Sequence, residues 1–400
     1  MNRVIFHVDV NSAFLSWEAV ERLKNEGGQD IREIPSVVAG DPRSRRGVVL
    51  AKSQMAKEFG IKTGEPLYWA VQKCPSIIIV PPHHEMYLRY SRDMLKILQS
   101  YTPLVERYSI DECFCDFTNM VKGKNETLDL AYKIKDHIKN ALGFTVNVGV
   151  STNKLLAKMA SDFKKPDRVH TLYPEEIEEK MWPLPVEELF MVGKATVPKL
   201  HKMNIHTIGD LAKYDVNLVR DKLKSHGVTI WNYARGIENS PVDENSRVKS
   251  KGMGNSTTIA SDVQDRENAH KILISLCEEL CVRLRKSENR CYVVSVNIGL
   301  SDFTSFSRQK KLFTPTDSTK TIMDVALKLF DELWDGAPIR KLGIYLSELT
   351  DHEYYQPSFF DIEKNEKQKA LDSALDKLKE KYGSDVVTRS CLLKGKGSKK

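Results

Sequence analysis

The sequence predicts an α+β protein of several domains, and three observations carry that reading. Residues 1–172 alternate short apolar, strand-like runs with stretches of helical periodicity. Residues 173–240 are mostly helical in pattern, and residues 253–350 again interleave strands with helices. A chain of 400 residues also exceeds what one ordinary core organises.

The first strand is IFHVDV, followed by a helix over 12–25. Short apolar runs at 36–39, 47–51 and 77–80 read as strands. Residues 84–101 carry helical periodicity, 108–117 read as a hairpin and 127–142 as a helix. A strand follows at 144–150, and a helix begins at Asn153 and stops near Lys165-Pro166, because the residue before proline avoids helical backbone. The stretch 239–252 (ENSPVDENSRVKSKG from Glu238 on) is polar, lacks apolar periodicity and reads as a linker. Beyond it come a helix at 267–286, strands at 291–300 and 303–312, a helix at 320–334 and a strand at 340–349. A charged, helical extension covers 361–382.

Composition narrows the function classes. A 41% hydrophobic and 29% charged chain fits a globular protein. Seven cysteines without paired CxxC spacing form neither a disulfide framework nor a zinc site, and Cys277 and Cys281 read as core residues of one helix. The pattern is that of a reduced, cytoplasmic protein. No apolar run approaches the roughly 20 residues that span a bilayer, so no membrane partner is expected. A net charge of +7 is compatible with a polyanionic partner without demonstrating one. Arg43, Arg45 and Arg46 cluster in one loop, and Lys394, Lys396, Lys399 and Lys400 crowd the end of the chain.

Three acids carry the chemistry. Asp9 closes the run IFHVD, and Asp111 and Glu112 are adjacent within ERYSIDECFCDF. An isolated Asp-Glu pair at a strand end most often starts a solvated turn. Regular alternation would also send the two side chains to opposite faces, so both serve one site only where the chain bends, as in a hairpin. Carboxylates gathered from two strand ends suit hard divalent ions such as Mg²⁺, and a pair of such ions suits nucleotidyl transfer. His83 and His84, without further spaced ligands, read as a polar loop.

Four motifs set these acids in context. FHVDVNSAFLSWE, GVVLAKSQMAKEFGIKTGEP, YSIDECFCDF and VGVSTNKLLAKMASDFKKP occur in the order found in Y-family DNA polymerases, the translesion enzymes of the DinB (polymerase IV) and UmuC (polymerase V) type. The sequence resembles that family over most of its length. The resemblance implies a right-hand polymerase, with a palm at 1–22 and 83–172, fingers at 23–82, a helical thumb at 173–240, a linker at 241–252, a little finger at 253–350 and a tail at 351–400. It implies template-directed addition of dNTPs to a primer 3′-hydroxyl with low fidelity and no proofreading, by a monomer that bypasses DNA damage. The wording of the second and third motifs leans toward the UmuC branch, and the residues at positions 54 and 57 leave open a UmuC-like subunit active only with accessory proteins. A palm-fold nucleotidyl cyclase would carry a GG[DE]EF-type turn, and none is present.

Site residues follow from the same resemblance. Asp9, Asp111 and Glu112, with the Val10 carbonyl, would hold two Mg²⁺ ions, and Ser109 would position the carboxylates. Asn11, Ser12, Ala13 and Phe14 open a helix whose amides suit a triphosphate, and Phe14 aligns with the steric gate that excludes a ribose 2′-hydroxyl. Ser53, Lys57 and Lys165 would contact the triphosphate. Many members carry Tyr at position 54 and Arg at 57 where this chain has Gln54 and Lys57, and a lysine lacks the forked contact of an arginine. Lys154 and Lys158 read as solvated or near DNA. Residues 190–212 (FMVGKATVPKLHKMNIHTIGDLA) resemble a helix-hairpin-helix that touches DNA phosphates through Gly193 and Lys194, although Met191 stands where the family usually has the first glycine of GxG. Finally QPSFF at 356–360 resembles the bacterial sliding-clamp peptide, with Gln356, Phe359 and Phe360 as anchors.

Overall fold

The computed structural model describes residues 3–25, 27–41, 47–244, 250–351, 362–383 and 386–392. The chain divides into two compact units, residues 1–246 and 247–400. The division falls inside the polar stretch expected to be a linker.

The first unit runs β1 (Ile5–Val10), α1 (Ala13–Asn25), β2 (Ser36–Ala39), β3 (Val49–Lys52), α2 (Gln54–Glu58), α3 (Leu67–Lys73), β4 (Ile78–Val80) and α4 (His84–Gln99). It continues β5 (Val105–Arg107), β6 (Glu112–Asp116), α5 (Gly123–Leu142), β7 (Val146–Ser151), α6 (Lys154–Asp162) and β8 (Val169–Thr171). Five strands form one sheet in the order β5-β6-β1-β7-β8. β1 lies at its centre, antiparallel to both neighbours, and all six of its residues are buried. Alternation divides its side chains. Phe6, Val8 and Val10 pack with Trp17, Tyr87, Met94, Ile134 and Ile138 of α1, α4 and α5. On the other face Ile5 packs with Phe114 and Ala157. There α6 lies close against β7, because Gly149 has no β-carbon to hold the helix away; one built there would stand 1.9 Å from the Ala157 carbonyl oxygen.

A smaller sheet, β3-β2-β4, carries α2 and α3 around its own core of Val37, Val49, Ala56, Leu67 and Ala70. The last part of this unit is helical, with α7 (Val197–His201), α8 (Ile208–Lys213) and α9 (Val216–Ala234), the last broken at Lys224 by a φ of 58°. Leu200, Ile208, Leu211, Val219 and Ile230 share a core with Leu156 of α6.

The second unit comprises β9 (Gly252–Val263), α10 (Arg266–Lys286), β10 (Asn289–Leu300), β11 (Ser305–Thr316), α11 (Thr319–Leu333), β12 (Ile339–Asp351) and α12 (Ile362–Tyr382). Its sheet is antiparallel throughout, ordered β11-β10-β12-β9, and α10 and α11 supply the core residues Leu273, Leu280, Ala326 and Phe330. α12 attaches through polar groups. Arg285 forks onto Asp376 at 2.7 and 2.9 Å, and buried Asp372 accepts the Thr319 amide at 3.1 Å.

The sequence reading needs adjustment. The hairpin spans Val105–Asp116 with its turn at 108–111. β9 was not foreseen: GMGNSTTIASDV is glycine-rich and polar because it is an edge strand, and Gly252 leaves room for the Tyr345 hydroxyl, 2.4 Å from where a β-carbon would stand. Among the described residues no helix is long and apolar enough to cross a membrane.

Candidate active site

Asp9 and Glu112 are brought together by strand register. They are direct partners in the β1–β6 ladder, so both side chains lie on the face toward α6. Asp111 joins them because the chain bends before it. The Tyr108 and Ser109 amides both donate to the Glu112 carbonyl, at 3.0 and 3.1 Å, which folds 108–111 into a tight turn. The Val10 amide reaches the Asp111 carbonyl at 3.1 Å. The Ser109 hydroxyl donates to Asp111 Oδ1 at 2.6 Å and fixes its direction.

These acids line one cavity of about 430 Å³ together with Val10, Ser12, Ala13, Phe14, Ser53, Lys57 and Lys165. That volume falls in the roughly 300–1,000 Å³ range of small-molecule sites. Ser12 turns the chain from β1 into α1 with a φ of 45°, a left-handed conformation uncommon outside glycine. Ser53 caps α2, its hydroxyl accepting the Ala56 amide at 3.0 Å, which places Lys57 one turn further along the same wall. Phe14 stacks on Tyr87, centroids 4.6 Å apart and planes at 11°.

Asn11 is the exception among the expected nucleotide residues. Its side chain is turned into the sheet, donating to Asn147 at 3.1 Å and accepting from Thr145 and the Asp167 amide, both at 2.9 Å. Its own amide is spent on the Thr145 carbonyl at 3.0 Å. Asn11 therefore locks β1 to the neighbouring loops and does not line the cavity.

Each of the three carboxyls has a protein partner. Asp9 is ion-paired with Lys165, which also meets Asp162 at 2.9 Å. Glu112 meets Lys158 at 2.9 Å. Burial pushes the Asp9 carboxyl above its usual range against the pull of Lys165, whose own ammonium is held well above the ordinary lysine value despite burial. Burial opposes ionisation of Glu112, the His7 ring edge and the Lys158 ammonium favour it, and the balance holds the carboxyl at about 2. Because the side chains point to separate partners, no three His, Cys, Asp or Glu among the described residues converge on a single metal-sized point.

Several residues at this site escaped the sequence reading. Lys154 and Lys158 were expected to be solvated or near DNA; Lys158 sits under Glu112, and Lys154 is paired with Glu106 at 2.9 Å. The Lys158 ammonium rests 5.5 Å from the ring centres of Tyr108 and Phe190. His7 is wholly buried, its Nδ1 2.8 Å from the Ser161 hydroxyl and its Nε2 3.6 Å from Glu112, too far for a hydrogen bond. Its position two residues before Asp9 was the available signal, since i and i+2 share a strand face. Lys52 lines the cavity beside Lys57, and neither is paired with a described acid. His83, read as part of a polar loop, binds buried Glu18 at 3.0 Å.

Gly193 and Lys194 are exposed between Met191 and α7, and the Gly193 carbonyl accepts the Thr196 amide at 2.8 Å. Met191 holds a φ of 73°, so the backbone keeps a glycine-like conformation with a side chain on it. Gln356, Phe359 and Phe360 lie outside the described residues, as do Arg43, Arg45 and Arg46 and the terminal lysines.

The impB/mucB/samB family model matches residues 8–162, the C-terminal domain of that family matches 250–359, and its HHH motif matches 174–205. The chain is 53% identical to the DNA polymerase IV of Clostridium acetobutylicum over 393 residues, which cover 98% of this chain and 99% of that protein. It is 36% identical to DNA polymerase IV 2 of Bacillus subtilis, with 99% and 96% covered. Among solved structures it resembles a Y-family DNA polymerase chimera of Dbh and Dpo4, with a TM-score of 0.75 and 25% identity over 87% of this chain and 99% of that one. DinB from Sulfolobus solfataricus follows at a TM-score of 0.55 and 26% identity, with 86% and 98% covered. These names lie on the DinB side of the two branches that the motif wording left open.

Proposed function

The chain belongs to the impB/mucB/samB family and is a translesion DNA polymerase of the Y-family, DinB-like type, and on that premise we propose that the cavity bounded by β1, the 108–111 turn, α1 and α2 is its nucleotidyl-transfer site. As a DNA polymerase it takes a DNA template and dNTPs. The observation that carries the site is the register pairing of Asp9 with Glu112, in one cavity with Asp111, Phe14, Ser53, Lys57 and Lys165.

The donor chemistry of these residues suits a pair of Mg²⁺ ions. The donor set is carboxylate oxygen with the Val10 carbonyl nearby, the hard ligands that this ion prefers. Asp9, Asp111, Glu112 and the Val10 carbonyl would hold the ions, which when bound neutralise the triphosphate and lower the barrier to displacement of pyrophosphate by the primer 3′-oxygen.

The chain's own groups do the rest. Lys52, Lys57 and Lys165 present positive charge to the phosphates, and Ser12 and Ala13 open α1 toward them. Ser109 keeps Asp111 aimed, and Lys158 keeps Glu112 ionised and in place. Phe14, backed by Tyr87, forms the wall against the sugar and leaves no space for a 2′-hydroxyl. Fidelity then rests on the fit of this cavity alone, which suits low fidelity and passage over damaged templates.

In this reading the five-stranded sheet with α4–α6 is the palm, the small sheet with α2 and α3 the fingers, α7–α9 the thumb with Gly193 and Lys194 at DNA phosphates, and the second unit the little finger. The polymerase acts as a monomer, and Gln356, Phe359 and Phe360 engage a sliding clamp. The test is primer extension with Mg²⁺ and four dNTPs, comparing wild type with Glu112→Ala, first without the clamp and then with it. Extension by wild type, reduced at least about a thousand-fold in the variant, is the expected result. Equal extension by both proteins would refute the assignment of the acids, and an absence of clamp stimulation would refute the peptide.

A further inference from the structure

We propose that Glu18 is a positioning residue for sugar discrimination, acting on Phe14 through Tyr87; the inference rests on the reading of Phe14 as the wall against the sugar. Glu18 lies one turn after Phe14 on α1, so the two share a helix face. It is 3% exposed and does not line the cavity, so it touches no nucleotide. Its carboxyl instead gathers three groups from the start of α4. The Tyr87 hydroxyl donates to Oε1, the His83 amide donates to the same oxygen at 3.2 Å, and the His83 ring Nδ1 stands 3.0 and 3.1 Å from the two oxygens.

An aromatic wall excludes a hydroxyl only if it cannot retreat. The Phe14 ring is backed by the Tyr87 ring in a near-parallel stack, and Tyr87 is wholly buried, with Trp17 5.7 Å away on another side. A displacement of Phe14 therefore has to move Tyr87. Tyr87 is restrained in turn because its buried hydroxyl would lose its acceptor on moving, and an unpaired buried polar group is costly. The resistance of the wall is thus set at Glu18, two side chains away from the nucleotide.

The test is single-nucleotide incorporation with matched dNTP and rNTP, giving kcat/KM for each. Glu18→Leu, which removes the acceptor, is expected to lower the preference for the deoxynucleotide about tenfold, chiefly by raising kcat/KM for the ribonucleotide. Glu18→Gln keeps an acceptor oxygen and should retain the wild-type ratio. Tyr87→Phe keeps the stacked ring but loses the hydroxyl, and should reproduce the leucine effect; it stands in for that variant if the leucine chain does not fold. A parallel fall of both substrates with an unchanged ratio, in whichever variant folds, would overturn the role of Glu18. Phe14→Ala separates the two levels: loss of discrimination there with none in Glu18→Leu or Tyr87→Phe refutes only this inference, whereas an unchanged ratio in Phe14→Ala refutes the reading of the wall itself.

Discussion

Lys158 supports Glu112 from inside the protein, its ammonium 2.9 Å from the carboxyl and the two side chains only 11% and 19% exposed. Removing the lysine strands a mostly buried carboxylate, for which the general cost of about 3–5 kcal/mol is reduced here by partial exposure to about 2–3 kcal/mol. Lys158→Met should therefore be destabilised by about that amount in urea denaturation with EDTA present. Mg²⁺ should narrow the gap, because without Lys158 competing for its carboxylate Glu112 binds the cation more tightly in the folded variant than in wild type. A gap of the same size in both conditions would count against a metal site at Glu112.

His7 gives the fold a dependence on pH. Burial pushes the ring well below the usual 6.5, and Glu112 only partly offsets that push. In the unfolded chain the same ring takes up a proton below about pH 6.5. The unfolded state then binds more protons than the folded one, so stability falls as pH falls below about 6.5, by at most about 1.4 kcal/mol per pH unit, until the folded pKa is passed. His7→Gln should remove that slope. Urea midpoints of the two proteins at pH 7.5 and 5.5 decide the matter, and parallel shifts would sink the idea.

Gly149 should tolerate no side chain. A β-carbon there would lie 1.9 Å from the Ala157 carbonyl oxygen and 2.5 Å from the Ser161 amide nitrogen, both backbone atoms that cannot step aside. Gly149→Ala must push α6 off the sheet, at a cost of about 3 kcal/mol or more. Because α6 carries Lys158, primer extension should fall along with the unfolding midpoint. A midpoint close to that of wild type would show that the helix accommodates the methyl group.

Met191 predicts the opposite sign. A non-glycine residue at a φ of 73° carries roughly 1 kcal/mol of backbone strain. Met191→Gly relieves it, less the entropy that glycine adds to the unfolded chain, for a net change between about zero and +1 kcal/mol. Met191→Val, branched at the β-carbon, should lose about 1–2 kcal/mol. Thermal unfolding of the two variants should place them on either side of wild type, glycine above and valine below.

How much of this was legible depends on whether a residue's role was local. β1, the 108–111 bend and α6 follow from local pattern, and Asp9, Asp111, Glu112 and Phe14 could be named because they sit in contiguous motifs. Lys158 could not be separated from a solvated lysine, since the sequence gives the helix but not the face that packs. Lys52 was not singled out, because its place beside Lys57 depends on how β3 meets α2 in the folded chain. Asn11 shows the reverse error: a polar residue at a helix start suggests a ligand contact, yet Thr145, Asn147 and Asp167, more than a hundred residues later, satisfy it internally. β9 lacked the apolar alternation of a strand because it forms the rim of its sheet.

The central place of β1 in its sheet has a consequence for synthesis. Both hydrogen-bonding partners of this strand come much later in the chain, at Glu112–Asp116 and Val146–Ser151. At about 5–20 residues per second, translation takes roughly 8–30 s to deliver the second partner. During that interval an apolar strand with both edges open has no native neighbour, and the high contact order of the finished sheet slows its closure further. The nascent chain should therefore depend on chaperones that shield β1, and its active centre cannot close before Lys165 has been made.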